Sequence, residues 1–196
     1  MTTYFDTLTT SFADVPLEPG VDTAKFIDAS KGLVKMFDLL GSAAFVVVQK
    51  DLNGNIAKLE ARLAADPEKS ATLEGLLAAE AAEGDRTASQ GLMWLLRGLQ
   101  FTLIGLQRSL ENPTEELSAS FNKAYETTLK PFHSWVVRPV FSLAMKSCPY
   151  REDFYKKLGS PQERVLSEGK KWLDGLEVIV TKMQTLYTEK NYTQGL

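Results

Sequence analysis

Asp51, Asn55 and Lys58 stand at i, i+4 and i+7. On a helix that spacing puts an acceptor, an amide and a cation in one row on one face, while Leu52, Ile56 and Leu59 fall on the other side and can bury. Gly54 inside this segment costs a helix about 1 kcal/mol relative to Ala, so a close approach by something is expected there. Trp94 and Arg97 are i, i+3 neighbours in Leu92–Leu99, where an indole packs in a core as readily as it stacks on a ligand. The only histidine lies in Phe132-His133-Ser134-Trp135. One histidine and one cysteine, Cys148, rule out a His-rich metal site and a zinc–thiolate cluster. No nucleophile elbow, phosphate loop or dinucleotide fingerprint occurs. Paired acids such as Glu115-Glu116 read as solvated helix faces. The expectation is a binding protein: no enzyme, no metal and no cofactor.

The elements that must position these residues read as helices nearly throughout. Val15–Gly20 is a Pro/Gly-bearing loop, and Asp22 caps a helix running through Phe26, Leu33, Phe37 and Leu40. A second helix holds Asp51–Ala65. Asp66-Pro67 reads as an N-cap and first helical position of a helix containing Leu73, Leu76 and Leu77. Thr87–Leu110 is a long Leu-rich helix. Thr114 caps a helix carrying Leu117, Phe121 and Tyr125. Phe132–Met145 has a helical pattern, with a break or kink expected at Pro131 or Pro139. Ser160-Pro161-Gln162-Glu163 reads as a capping box opening a last helix through Trp172, Leu176, Ile179 and Leu186. Sustained strand-like alternation is absent, so the class is all-α.

The 196 residues suit one domain, with residues 1–20 as an N-terminal arm and loop. Hydrophobic residues at 44% and charged residues at 24% describe a folded chain that needs no staples. The start of the chain does not resemble a signal peptide, and Ala43–Val48, the longest apolar run, is too short to span a bilayer. A cytoplasmic protein is expected. A net charge of −3 disfavours nucleic acid. Yet Lys130–Lys157 holds six basic residues against two acidic ones, which suits transient contact with an anionic membrane surface.

Together the pieces resemble the glycolipid transfer protein family. They are Asp-x-x-Gly-Asn-x-x-Lys at 51–58, Leu-Met-Trp-Leu-x-Arg-Gly-Leu at 92–99, Lys-Ala-Tyr-Glu at 123–126, His-x-Trp at 133–135 and Pro-Tyr-Arg-x-Asp-Phe at 149–154. Tyr4–Leu8 and Ser147–Arg151 look like the fungal branch, which includes heterokaryon-incompatibility proteins. The resemblance implies a two-layer α sandwich of about eight helices with a surface headgroup site and a collapsible apolar pocket. It implies that a first sugar stacks on Trp94, that Asp51 accepts from a ceramide amide and a sugar hydroxyl, that Asn55 and Lys58 hold hydroxyls, and that His133 donates to the ceramide carbonyl. Tyr192 matches a near-terminal tyrosine that completes the site. Phe45, Val48, Phe101, Leu129, Phe141 and Phe154 match the chain pocket, and Trp135 matches an aromatic that dips into the bilayer. The partners implied are one glycosphingolipid and a passing membrane, for a monomer peripheral to it. Pro131 and Pro139 depart from the family pattern around His133. Two other readings stay open: a ceramide phosphate carrier, for which Lys58 with Arg97 is a thin cradle, and a lipid-sensing interaction protein.

Overall fold

The computed structural model describes residues 2–194. Eight α-helices run among them: α1 Thr23–Met36, α2 Val46–Ala65, α3 Leu73–Glu83, α4 Thr87–Glu111, α5 Leu117–Thr127, α6 Arg138–Lys146, α7 Arg151–Lys157 and α8 Gln162–Glu189. No described helix is long and apolar enough to cross a membrane.

The architecture turns on α4, which packs against α2, α3, α5 and α8. Its apolar residues wrap most of its circumference: Leu92, Leu95, Leu96, Leu99, Phe101, Leu103 and Leu106 are all buried. Glycines recur every seven residues along it, at 91, 98 and 105. A Cβ on Gly98 would lie 2.6 Å from Leu52 Cδ2 of α2, and one on Gly105 would lie 2.5 Å from the Phe121 ring of α5. Both neighbours therefore sit closer to α4 than a side chain would permit. Leu52, Ile56 and Leu59 do bury, as their spacing predicts.

The first twenty residues are more than an arm. Phe12 is buried against Phe26 and Trp172, with ring centroids 6.5 and 5.3 Å away. The Tyr4 hydroxyl donates to the Gly32 carbonyl of α1 at 2.5 Å. Burial pushes that phenol up to about 12.

Three local capping signals fail, two of them where distant segments pair. Asp22 pairs with Thr72 as an isolated bridge: Thr23 N donates to Ala71 O and Leu73 N to Val21 O. This holds Thr72 extended, so Asp66-Pro67 opens only a turn, and Thr72 caps α3 through Gly75 N. Likewise Gly159 pairs with Thr3. That pairing keeps the chain extended into Pro161, so α8 starts at Gln162 without the capping box. Thr114 is exposed and caps nothing, because Glu115 is held in the preceding turn by Arg108, Lys123 and Ser120. Those partners drop the Glu115 carboxyl to about 2. The break expected near the prolines is present: helix α6 begins only at Arg138 with Pro139 in its first turn, where its missing N–H is harmless, and the helical pattern does not extend back to His133, which sits in a turn. Helix α2 also begins earlier than expected, at Val46.

The glycines generate a prediction of opposite signs. Gly98→Ala should lower stability by about 1 kcal/mol net, because an overpacking cost of about 1–3 kcal/mol exceeds the helix-propensity gain. A Cβ on Gly54 would meet nothing beyond its own helix backbone within 4 Å, so Gly54→Ala should raise stability by up to about 1 kcal/mol. Urea denaturation midpoints check both; a stabilised Gly98→Ala would mean that the α2–α4 approach is not limiting.

Candidate functional site

Helix α2 presents its polar row beside α4. Asn55 is buried, Lys58 is half-buried, and Lys58 Nζ donates to Asn55 Oδ1 at 3.4 Å. The row reaches α4 at Gly91, whose missing side chain leaves room for Lys58: a Cβ there would lie 2.9 Å from Lys58 Cδ. Asp51, one turn earlier, has no hydrogen-bond partner among the described residues. Its outer edge is exposed, but protein mass around the carboxyl raises its pKa by desolvation, and Lys58 partly offsets this. Asp51 is thus an acceptor with its lone pairs uncommitted. The close approach expected at Gly54 is made by no neighbouring element: a Cβ there would meet nothing beyond its own helix backbone within 4 Å.

Trp94 lies three residues beyond Gly91 and four before Gly98, on the flank of α4 turned toward α2. It is half-buried. The His133 ring stacks near it, centroids 6.4 Å apart at 20°. The Arg97 guanidinium sits 4.6 Å from the Trp94 centroid and 3.6 Å from that of Phe132. Desolvation there lowers the Arg97 pKa. Trp94 and Phe132 are thereby clamped by one cation, which ties α4 to the turn carrying His133. That turn is closed by Arg138, which donates to the carbonyls of His133 at 3.0 Å and Lys130 at 3.2 Å.

His133 also faces inward. Its ring centroid is 4.4 Å from that of Phe141, and Nδ1 is 3.1 Å from the Tyr125 hydroxyl. Tyr125 is buried, and this is the one hydrogen bond its hydroxyl makes among the described residues. If Nδ1 carried the proton, the phenolic O–H would be left without an acceptor, so the accounting favours Tyr125 as donor and a neutral ring protonated at Nε2. Desolvation, then the Arg138 charge, hold the His133 pKa below its ordinary 6.5. The ring can therefore offer one N–H to a carbonyl.

Behind it lies an aromatic interior. Phe141 stacks on Tyr125, and Phe101 meets Phe121, Tyr125 and Phe141. Phe45, Val48, Leu129 and Phe154 are buried as well. Among the described residues the expected pocket is largely filled by its own side chains: two apolar cavities in the interior, one at Phe121 and Phe37 and one beneath Trp172, measure about 10 and 20 Å³. That is space for little more than one water each.

Two predicted residues stand elsewhere. Tyr192 lies toward the N-terminal end of α4, its carbonyl accepting from Arg86 at 3.3 Å and its ring 6.3 Å from Tyr187. Among the described residues no ring contact or hydrogen bond joins it to Trp94, Asp51 or His133. Trp135 is 81% exposed. Sequence reasoning missed its surroundings. Val136, Val140 and Leu143 are exposed in the residues that follow it, and Val46 and Val47 are exposed at the start of α2, directly after the turn 43–45 that contacts α6. The available signal was the run Val46-Val47-Val48, which a helix cannot bury on all sides at once. The basic stretch is less free than its count suggests. Arg138 closes the turn, Arg151 donates to Ser109 O, Lys157 to Leu39 O, and Lys130 and Lys156 pair with Glu126 and Glu152. Lys146 and Lys50 are the exposed cations near the apolar patch with no partner among the described residues.

The profile of the family "Glycolipid transfer protein (GLTP)" matches residues 21–160. The chain is 46% identical over 189 residues to a glycolipid transfer protein of Aureobasidium melanogenum, covering 96% of this chain and 94% of that one. Its fold matches HET-C2, described as a fungal glycolipid transfer protein, with a TM-score of 0.92 at 42% identity over 95% and 97% of the two chains. It also matches the structure that describes how FAPP2 selects simple glycosphingolipids using this fold, with a TM-score of 0.89 at 30% identity over 97% of each chain. With its polar row, clamped indole and aromatic interior held on eight helices, the chain belongs to the glycolipid transfer protein family.

Proposed function

We propose that this chain carries one glycosphingolipid at a time between membrane surfaces, without a covalent step. One observation carries the reading. The His133 ring stacks near the half-buried Trp94, centroids 6.4 Å apart, and lies 4.4 Å from that of buried Phe141, so a single neutral N–H stands where a polar surface site meets an apolar interior. A ceramide has an amide at that same junction, between sugar and hydrocarbon. His133 donates to its carbonyl, and Asp51 accepts from its N–H. A sugar packs its C–H face on Trp94, with its rim hydroxyls answered by Asp51, Asn55 and Lys58. Tyr192, held beside Arg86 and Tyr187, is left out of the headgroup set.

A sugar fits better than a phosphate. A dianion needs several converging donors. Here Lys58 is turned to Asn55, and Arg97 is spread over two rings. The encounter surface is the apolar patch of Trp135, Val136, Val140, Leu143, Val46 and Val47, with Lys50 and Lys146 at its edge. Indoles suit the interfacial zone, and each well-placed cation adds about 1 kcal/mol on an anionic leaflet. The protein acts as a monomer, peripheral to membranes on their cytoplasmic side.

The experiment is transfer of glucosylceramide between vesicles. Trp94→Ala should lose most activity while folding normally. Trp135→Ala should slow transfer but keep its bound lipid. A Trp94→Ala protein that moves glucosylceramide at the wild-type rate would remove the stacking role.

The ring chemistry has its own check. Nitrogen NMR should find His133 neutral, protonated at Nε2 and titrating below 6.5. Because the unfolded chain takes up that proton first, stability should fall as pH drops from the ordinary value through the lower folded value. Tyr125→Phe removes the donor that favours the neutral ring, so the pKa should rise and transfer should weaken. An unchanged titration in Tyr125→Phe would assign the tautomer to another cause.

A further inference from the structure

The two small cavities lie in series. The first is lined by Phe37, Thr102, Leu106 and Phe121, the second by Phe5, Leu158, Val165, Gly169 and Trp172. They share Met36, Leu106 and Phe154 as a common wall. An unbroken apolar line reaches them from the site: His133 to Phe141, Phe141 to Phe101, Phe101 to Phe121, then the first cavity. Helix α4 measures the depth. At 1.5 Å per residue, Leu106 lies about 18 Å and Leu110 about 24 Å below the level of Trp94. Leu110 lines only the second cavity.

Hydrocarbon entering a packed interior must displace side chains, and it displaces fewest where contacts are already missing. The voids therefore mark the route of least cost. Met36 stands between them, unbranched and able to change rotamer without a large penalty. Past the second cavity the way is closed by Trp172, itself packed on Phe5 and Phe12.

Resting on the lipid-carrier reading, we propose that the second cavity is the terminal chamber for the longer hydrocarbon chain. Met36 is its gate, and Val165, Trp172 and the N-terminal Phe5 set the upper limit of chain length. Residues 4–14, which touch none of the headgroup residues, thereby become a specificity element.

The test uses Val165, which lines the second cavity but not the first. Transfer of octanoyl and lignoceroyl glucosylceramide is compared in wild type, Val165→Phe and Val165→Ile. Filling the chamber should leave octanoyl transfer near the wild-type rate and cut lignoceroyl transfer on the order of tenfold in Val165→Phe, with a smaller shift of the same sign in Val165→Ile. The isoleucine adds one methyl group beside an existing void, so it decides the matter if the phenylalanine does not fold. Both chain lengths falling together, or neither changing, would overturn the chamber. A wild-type protein that moves neither lipid would instead overturn the carrier reading on which it rests.

Discussion

Hydrocarbon held in water costs about 0.8 kcal/mol per methylene, so two ceramide chains of roughly 30 methylenes would cost about 24 kcal/mol to carry exposed. That cost requires the proposed cargo to be sheltered throughout. The interior of this chain is largely filled by its own residues, with cavities of about 10 and 20 Å³. Sheltering and a filled core are compatible only if entering chains exchange places with side chains that repack cheaply. Aromatic rings in tilted and edge-to-face contact and an unbranched methionine at the centre meet that requirement.

Helix α4 couples the interior to the surface. Its glycines let α2 and α5 approach, so the polar row of α2 and the aromatic stripe of α5 meet along one helix. Arg97 then fastens the α5–α6 turn to Trp94 through two ring contacts, and Arg138 closes that turn by binding two of its carbonyls. The polar row of the site therefore rests on two packed helices, while its His133 end rests on a turn.

The helices were legible in the sequence where their own periodicity decides them: α1, α4 and the buried stripe of α2 follow from apolar spacing alone. Local signals failed at Asp66-Pro67 and Ser160-Pro161 because distant segments pair there, Thr72 with Asp22 and Gly159 with Thr3. No window of a few residues contains that information. In the site, Asn55, Lys58, Trp94 and His133 were identifiable by type and motif. The partnership of Tyr125 with His133 was not, since it depends on how a turn folds back across α5. The exposed valines of α2 and α6 were hidden for a similar reason: sequence marks them as apolar, and only the packing leaves them outside. The basic stretch misled in the other direction, because most of its charges close turns or pair locally.

The central claim is that one site recognises a sugar-bearing ceramide and rejects its phosphate counterpart. Native mass spectrometry of the purified protein, offered glucosylceramide and ceramide phosphate with identical chains, tests it directly. The account predicts a one-to-one complex with glucosylceramide that persists in excess ceramide phosphate. A complex formed preferentially with ceramide phosphate, or equally with both, would contradict it.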